Sequence, residues 1–376
     1  MKWINKILML LCIALIVNFI GCENQPVKFA EDELTFIQIE QNIKTVYTYL
    51  DSSEVILGNN NKGLAFNVVI GSYDQVEYDV LLKFTNLPEN VQILSAQVSL
   101  TPEFVHGTSG NDFAAEIHEI TSSWNETKES TIDYDQTVLS SGSIAYSGSA
   151  ADIFDLPVPV VQKWVDAVSD SLIGNYGVII KPLSADFAKQ YNLTGIKLNI
   201  EYNDGVSTNT AERSPSNESY IMTGGADHST DLYVSNSLNH RTKLKFDLSE
   251  VQDKAVVNHA ELVLKLDEAN SLIGPMTLYD FTIGQIDSVF SDETEFPVID
   301  NKSVTGVLSF SGDIPEIRVK VTEIVQDWIS FPAFNRGFLV ISEKENQDLS
   351  GFMFYNESIP GGKKPVLEIT YSETIK

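Results

Sequence analysis

VVQKWV (160–165) and IVQDWI (324–329) are nearly the same six residues written twice, 164 positions apart. Other stretches line up in the same order. VLLKF (80–84) answers TKLKF (242–246), and SAQVSL (95–100) answers HAELVL (259–264). GVII (177–180) answers GFLV (337–340), and LNIEY (198–202) answers LEITY (367–371). Five blocks in one order, with offsets between 160 and 169, mark two copies of one unit.

The blocks carry their own secondary structure. Ala96, Val98 and Leu100 alternate with Ser95, Gln97 and Ser99, and Ala260, Leu262, Leu264 and Leu266 alternate mostly with polar neighbours. A period of two marks half-buried antiparallel strands. Gly, Pro, Asn and Ser punctuate the gaps between them. The opening phrase is the exception. Ile324, Val325, Trp328 and Ile329 fall on one face of a short helix, as do Val160, Val161, Trp164, Val165 and Val168. Thr322 is expected as an N-cap and Pro159 at the first helical position. Both tryptophans lie on the apolar face, which predicts packing rather than sugar stacking. The expected fold class is all-β: two tandem antiparallel jelly-roll-like β-sandwiches, each with one short helix.

The 376 residues suit two domains. Lys2 and Lys6 precede an apolar run, Ile7 to Ile20, which is short for a membrane span. The run ends in Gly21–Cys22 and resembles the lipobox of bacterial lipoproteins. That resemblance implies cleavage before Cys22 and acylation of its thiol, so the membrane is met through a lipid anchor only. Cys12 is the one other cysteine and would leave with the leader. The expected organisation is a leader over 1–21, a tether over 22–33, copy one over 34–203, a turn-rich linker over 204–217 and copy two over 218–376. The expected location is the bacterial cell envelope, on the outer membrane or cell surface. A formal charge of −27 repels phosphate backbones and excludes nucleic acid as a natural partner.

The ordered blocks resemble the DNRLRE domains, β-sandwich modules of secreted bacterial proteins that include some alginate-binding carbohydrate-binding modules. The resemblance rests on Leu82 to Phe84 and Leu244 to Leu248, on the A-x-L-x-L strand, and on ITSSWNE (120–126). It rests also on the V-Q-x-W helix followed by a glycine-led strand, and on the closing L-x-I-x-Y. It covers most of 50–203 and 217–373, and implies a β-sandwich that binds polysaccharide.

No G-x-S-x-G elbow, phosphate-cradling glycine loop, H-E-x-x-H or paired C-x-x-C occurs, so no enzyme is expected. Glu116 and His118 share one side of a strand, as two exposed polar residues rather than metal ligands. In NHRTKLKFD, Arg241, Lys243 and Lys245 share the outward face, and Lys265 could extend the stripe. Such a row suits the carboxylates of an acidic polysaccharide. Pairing across strands with Glu261 and Asp267, worth little apiece, is enough to explain it. Tyr73 and Tyr78 in GSYDQVEYD, with Trp124, are candidate sugar-stacking rings. No cofactor is expected; IDYDQ (132–136) and SDETE (291–295) are rich in carboxylates that calcium takes, without a recognised ligand spacing. The expectation is a non-catalytic lipoprotein that captures polysaccharide, or alternatively a structural or adhesive surface spacer.

Overall fold

The computed structural model describes residues 43–57, 67–107, 111–126, 132–169, 173–274, 278–287, 299–356 and 363–373. The leader, Cys22, the tether and SDETE lie outside them. The described chain is nearly all β. Its first strands are β1 (Ile43–Leu57), β2 (Asn67–Tyr73), β3 (Val76–Lys83), β4 (Gln92–His106), β5 (Phe113–Glu119), β6 (Ser140–Ile144) and β7 (Asp152–Asp155). Helix α1 (Val158–Ser169) follows, then β8 (Val178–Leu183), β9 (Ala188–Asn203), β10 (Thr208–Arg213) and β11 (Asn217–Gly224). The remaining strands begin with β12 (Leu232–Ser235), β13 (His240–Phe246), β14 (Val256–Lys265), β15 (Asp280–Ile286), β16 (Ile299–Ser309) and β17 (Glu316–Lys320). Helix α2 (Thr322–Ser330) precedes β18 (Phe338–Ser342), β19 (Gly351–Phe354) and β20 (Val366–Ser372).

Two sheet systems hold most of these strands. One is ten-stranded, with the path β6-β5-β8-β3-β2-β9-β4-β7, β10 on β9 and β11 on β3. The other closes as a barrel, β1-β13-β18-β15-β16-β17-β14-β20, and β12 pairs β19 beside it. Each system wraps its own apolar core. Val80, Leu82, Phe84, Val98, Leu100 and Trp164 lie in the first; Leu244, Phe246, Leu262, Leu264, Leu266 and Trp328 lie in the second. Burying each such side chain is worth about 1.5–3 kcal/mol.

The pairings repeat as the sequence does. Ala96 lies opposite Ile200, and Ala260, 164 residues on, opposite Ile369. Val80 faces Ile180 as Thr242 faces Val340.

The repeated phrase docks a helix onto the strand that follows the VLLKF block in one half and the TKLKF block in the other. In α1, Val161, Trp164 and Val165 are buried; in α2, Ile324, Val325, Trp328 and Ile329 are. Val168, expected on the buried face, is 44% exposed, because it lies a turn beyond the core. The glutamine between the apolar residues makes the contact specific. The Gln162 amide oxygen accepts the Ile93 N–H at 2.9 Å, and its NH₂ donates to the Val91 carbonyl at 3.0 Å. Gln326 does the same to Val257 N–H and Ala255 carbonyl, at 2.8 and 3.2 Å.

Two details of the helix starts differ from expectation. Thr322 is the first helical residue, with Val321 before it. Its hydroxyl accepts the Ala260 N–H at 3.0 Å, so the side chain serves strand β14 instead of capping its own helix. Pro159 is the second residue of α1, still within the turn whose N–H groups have no intrahelical acceptor.

The expected boundaries differ from the pairing in three places. Residues 43–57, expected at the front of copy one, pair with β13 and β20 of the barrel. Residues 217–224, expected in copy two apart from Asn217, pair with β3. The expected linker contains strand β10, on β9. Backbone ladders dictate this outcome: among its described side chains β1 brings only Thr48 and Leu50 into burial, so its apolar pattern says little about its partner.

Candidate functional site

A cleft among the described residues has a volume of about 560 Å³, and its walls come from both sheet systems. Asp74 enters from the β2–β3 hairpin, where Asp74 and Gln75 both take the left-handed backbone of a two-residue turn (φ 51° and 62°). His228, Asp231 and Tyr233 come from the segment leading into β12, and Asp267, Asn270 and Ser271 from the single helical turn after β14.

These side chains hold one another in place. His228 stacks on Tyr233 at 3.8 Å between ring centroids, and its Nδ1 lies 3.1 Å from Asp231 Oδ2. His228 Nε2 is buried without a hydrogen-bond partner among the described residues. Asn270 donates to Asp267 Oδ2 at 2.8 Å, while the Ser271 hydroxyl donates to the Asp267 carbonyl at 2.7 Å and accepts the Met353 N–H at 2.9 Å. Leu272, Met353 and Phe354 supply apolar wall. Burial pushes the Asp74 carboxyl above its ordinary range, partly offset by His228. Burial first, and then His228, hold His240 down to about 4, so it is neutral at physiological pH. The cleft therefore offers acceptor oxygens and few fixed positive charges. That chemistry suits hydroxyl groups, which donate to carboxylates, and disfavours an anionic sugar.

The sequence candidates are dispersed. Tyr78 is 1% exposed, its hydroxyl 3.5 Å from Ser237 Oγ and its ring near Tyr220, so it packs and cannot act as a platform. Tyr73, half-buried, lies against His106 at 5.6 Å, one residue before Asp74. Trp124 is half-buried on Leu81, Ile120 and Ile179, and its indole N–H donates to the Tyr176 carbonyl at 2.8 Å.

The basic row of β13 lies between β1 and β18 and meets acids there. Arg241 forms a two-point pair with Glu345, both bonds 2.8 Å. Lys243 is 3.4 Å from Glu54 on β1, Lys245 is half-buried opposite Ser52, and Lys265 sits opposite Glu316. Glu261 is taken by Arg318. His118, expected exposed, is buried, with Nδ1 3.1 Å from the Asp135 carbonyl and Nε2 3.7 Å from Glu116. Asp135 of IDYDQ accepts the Thr137 N–H in a turn. Among the described residues no group of three or more His, Cys, Asp or Glu is placed to hold a metal.

Sequence reasoning missed Asp74, His228, Asp231 and Asp267. The H-x-x-D spacing of His228 and Asp231 was visible, but with 52 acidic residues in the chain it did not stand out. Only the fold brings Asp74 to that pair.

Fold and site together define an all-β chain with a polar, acceptor-rich cleft. No family model matches the chain, and no curated protein does. Among solved structures, one titled BspA_C_WT is similar over 85% of this chain and 90% of that chain, at 10% identity and a TM-score of 0.19. The C-terminal domain of the Streptococcus agalactiae AgI/II polypeptide BspA is similar over 85% and 89%, at 9% identity and a TM-score of 0.16. Likeness at that level carries no weight for fold or function, which rest on the geometry above.

Proposed function

We propose that this chain is a non-catalytic lipoprotein of the bacterial cell envelope, anchored through Cys22, that binds extracellular polysaccharide. In this reading its two halves are copies of one DNRLRE-type jelly-roll sandwich. The observation that carries the binding is the cleft of about 560 Å³ in which Asp74, Asp231 and Asp267 line one space with the His228–Tyr233 stack. The anchor rests on the sequence around Gly21–Cys22 alone. The favoured ligand is a neutral, hydroxyl-rich sugar unit, since Glu345 and Glu54 already meet Arg241 and Lys243.

The test is calorimetric binding of neutral and uronic-acid polymers to the native chain and to Asp74→Asn, at low and physiological salt. Asparagine tolerates the left-handed turn, so the variant keeps the hairpin and loses only the charge. Salt-insensitive binding of a neutral polymer, weakened about tenfold or more in the variant, is expected, a charged acceptor being worth about 1.5–3 kcal/mol. Silence across a screen with working controls overturns the reading and favours a structural or adhesive spacer. That second reading draws support from the way each sheet system is completed by a strand from the far side of the chain.

A further inference from the structure

The strands that complete the two sheet systems occupy the same register. Gln92 faces Asn203 as Val256 faces Ser372, so Asn203 and Ser372 are equivalent places. Thr208 of β10 lies opposite the first, and Ile43 of β1 opposite the second. At the other end, Asn217 and Tyr220 of β11 lie opposite Lys83 and Val80. Ser52 and Val55 of β1 lie opposite Lys245 and Thr242. At all these places the β1 residue precedes its counterpart by the same interval of 165 positions, within the range of the repeated motifs. The strand that opens each copy thus completes the sheet of the other.

β10 and β11 are two short strands that follow closely on β9, whereas β1 is one long strand that comes to the barrel from the far end of the chain and leads on to β2 of the other system. It buries Thr48 and Leu50, while Ile43, Tyr47 and Tyr49 are 60%, 54% and 54% exposed. Its hold is mainly two backbone ladders, to β13 and β20. Without β1 the barrel would present two facing strand edges, each a template for a new strand.

We propose that β1 is an exchangeable strand, and that the β13–β20 slot of one molecule accepts β1 of a second copy of this chain. A second copy is the partner because the slot is matched in register and side-chain pattern to this sequence, with Thr48 and Leu50 inward. Exchange in both directions gives a closed dimer; exchange in one direction gives head-to-tail chains.

Disulfide trapping between Glu54 and Lys243, which lie opposite each other, tests this in the full chain. Cys12→Ser and Cys22→Ser first leave the introduced cysteines as the only thiols. A chain carrying both Glu54→Cys and Lys243→Cys forms an internal disulfide if β1 fills its own barrel. Two differently tagged chains, one with each substitution, are then co-expressed and oxidised. An interchain disulfide joining the two tags, absent when both chains carry Glu54→Cys and rising with expression level, is the expected result. The idea is overturned if the doubly substituted chain closes internally and the mixed pair gives no interchain product. It is overturned equally if no disulfide forms in either arrangement, since β1 then does not occupy the slot.

Discussion

The two halves solve one docking problem identically and one burial problem differently. Gln162 and Gln326 each clamp a helix to the strand beside it with two backbone bonds, residue for residue. The tryptophans two positions later do not match. Trp328 donates its indole N–H to Gln285 at 3.1 Å, whereas the Trp164 N–H is buried with no partner among the described residues. The reason lies on the neighbouring strand. Gln285 faces Phe338, and the corresponding residue, facing Val178, is Glu119, which pairs with Lys163 at 2.7 Å instead. A backbone-directed contact survives sequence divergence more easily than one needing two particular side chains.

The largest expected effect breaks both halves alike. Trp164→Ala and Trp328→Ala should each cost about 3–5 kcal/mol by chemical denaturation, because both side chains are fully buried. Phenylalanine sharpens the comparison. Trp328→Phe leaves the Gln285 oxygen unsatisfied and should cost about 1 kcal/mol more than Trp164→Phe; equal losses would show that the bond to Gln285 contributes nothing.

A smaller and symmetric loss is expected at the clamp. Gln162→Leu and Gln326→Leu should each destabilise by about 1–3 kcal/mol, and hydrogen exchange should rise at Ile93 or Val257 in the matching variant. Exchange rising at neither amide would remove the clamp from the account.

The smallest effect is confined to one half and depends on pH. Glu218 on β11 sits where β1 has Ser53. Burial first, and Glu126 second, raise its carboxyl to about 7 from an ordinary 4.5. Between those values the folded chain keeps a proton that the unfolded chain has released, so this contribution to stability is lost as pH rises towards and through 7. Glu218→Gln should therefore melt higher than the native chain at pH 8, by about 1 kcal/mol after allowing for its half exposure, and no higher at pH 4. A difference that does not change with pH would assign the effect to shape.

What the sequence disclosed was whatever buries one face. The SAQVSL and HAELVL strands and the V-Q-x-W helices stand where their periodicity put them. Strand β10 was hidden because no residue of TNTAER is buried, leaving no apolar beat to read. Pro215 deepens the disguise: it falls between β10 and β11, at the place where β1 runs on through Leu50. Partner choice was hidden too, since a ladder made by backbone groups leaves little trace in side chains. The cleft was illegible for a related reason: its residues come from four separated segments and no spacing links Asp74 to His228.

The placement of β1 also sets an order of assembly. Thr45 on β1 and Thr370 on β20 are 325 positions apart, so the barrel closes by one of the longest-range steps among the described residues, and long-range closure is slow. The last strand of the first sheet system ends at Gly224, so its ladder is complete while the barrel is still being made, and its core later receives Leu349. Its open slot has the register of β1, the first described strand, until β10 and β11 emerge. Biogenesis thus offers β1 two seats in turn, and the folded chain holds it in the later one.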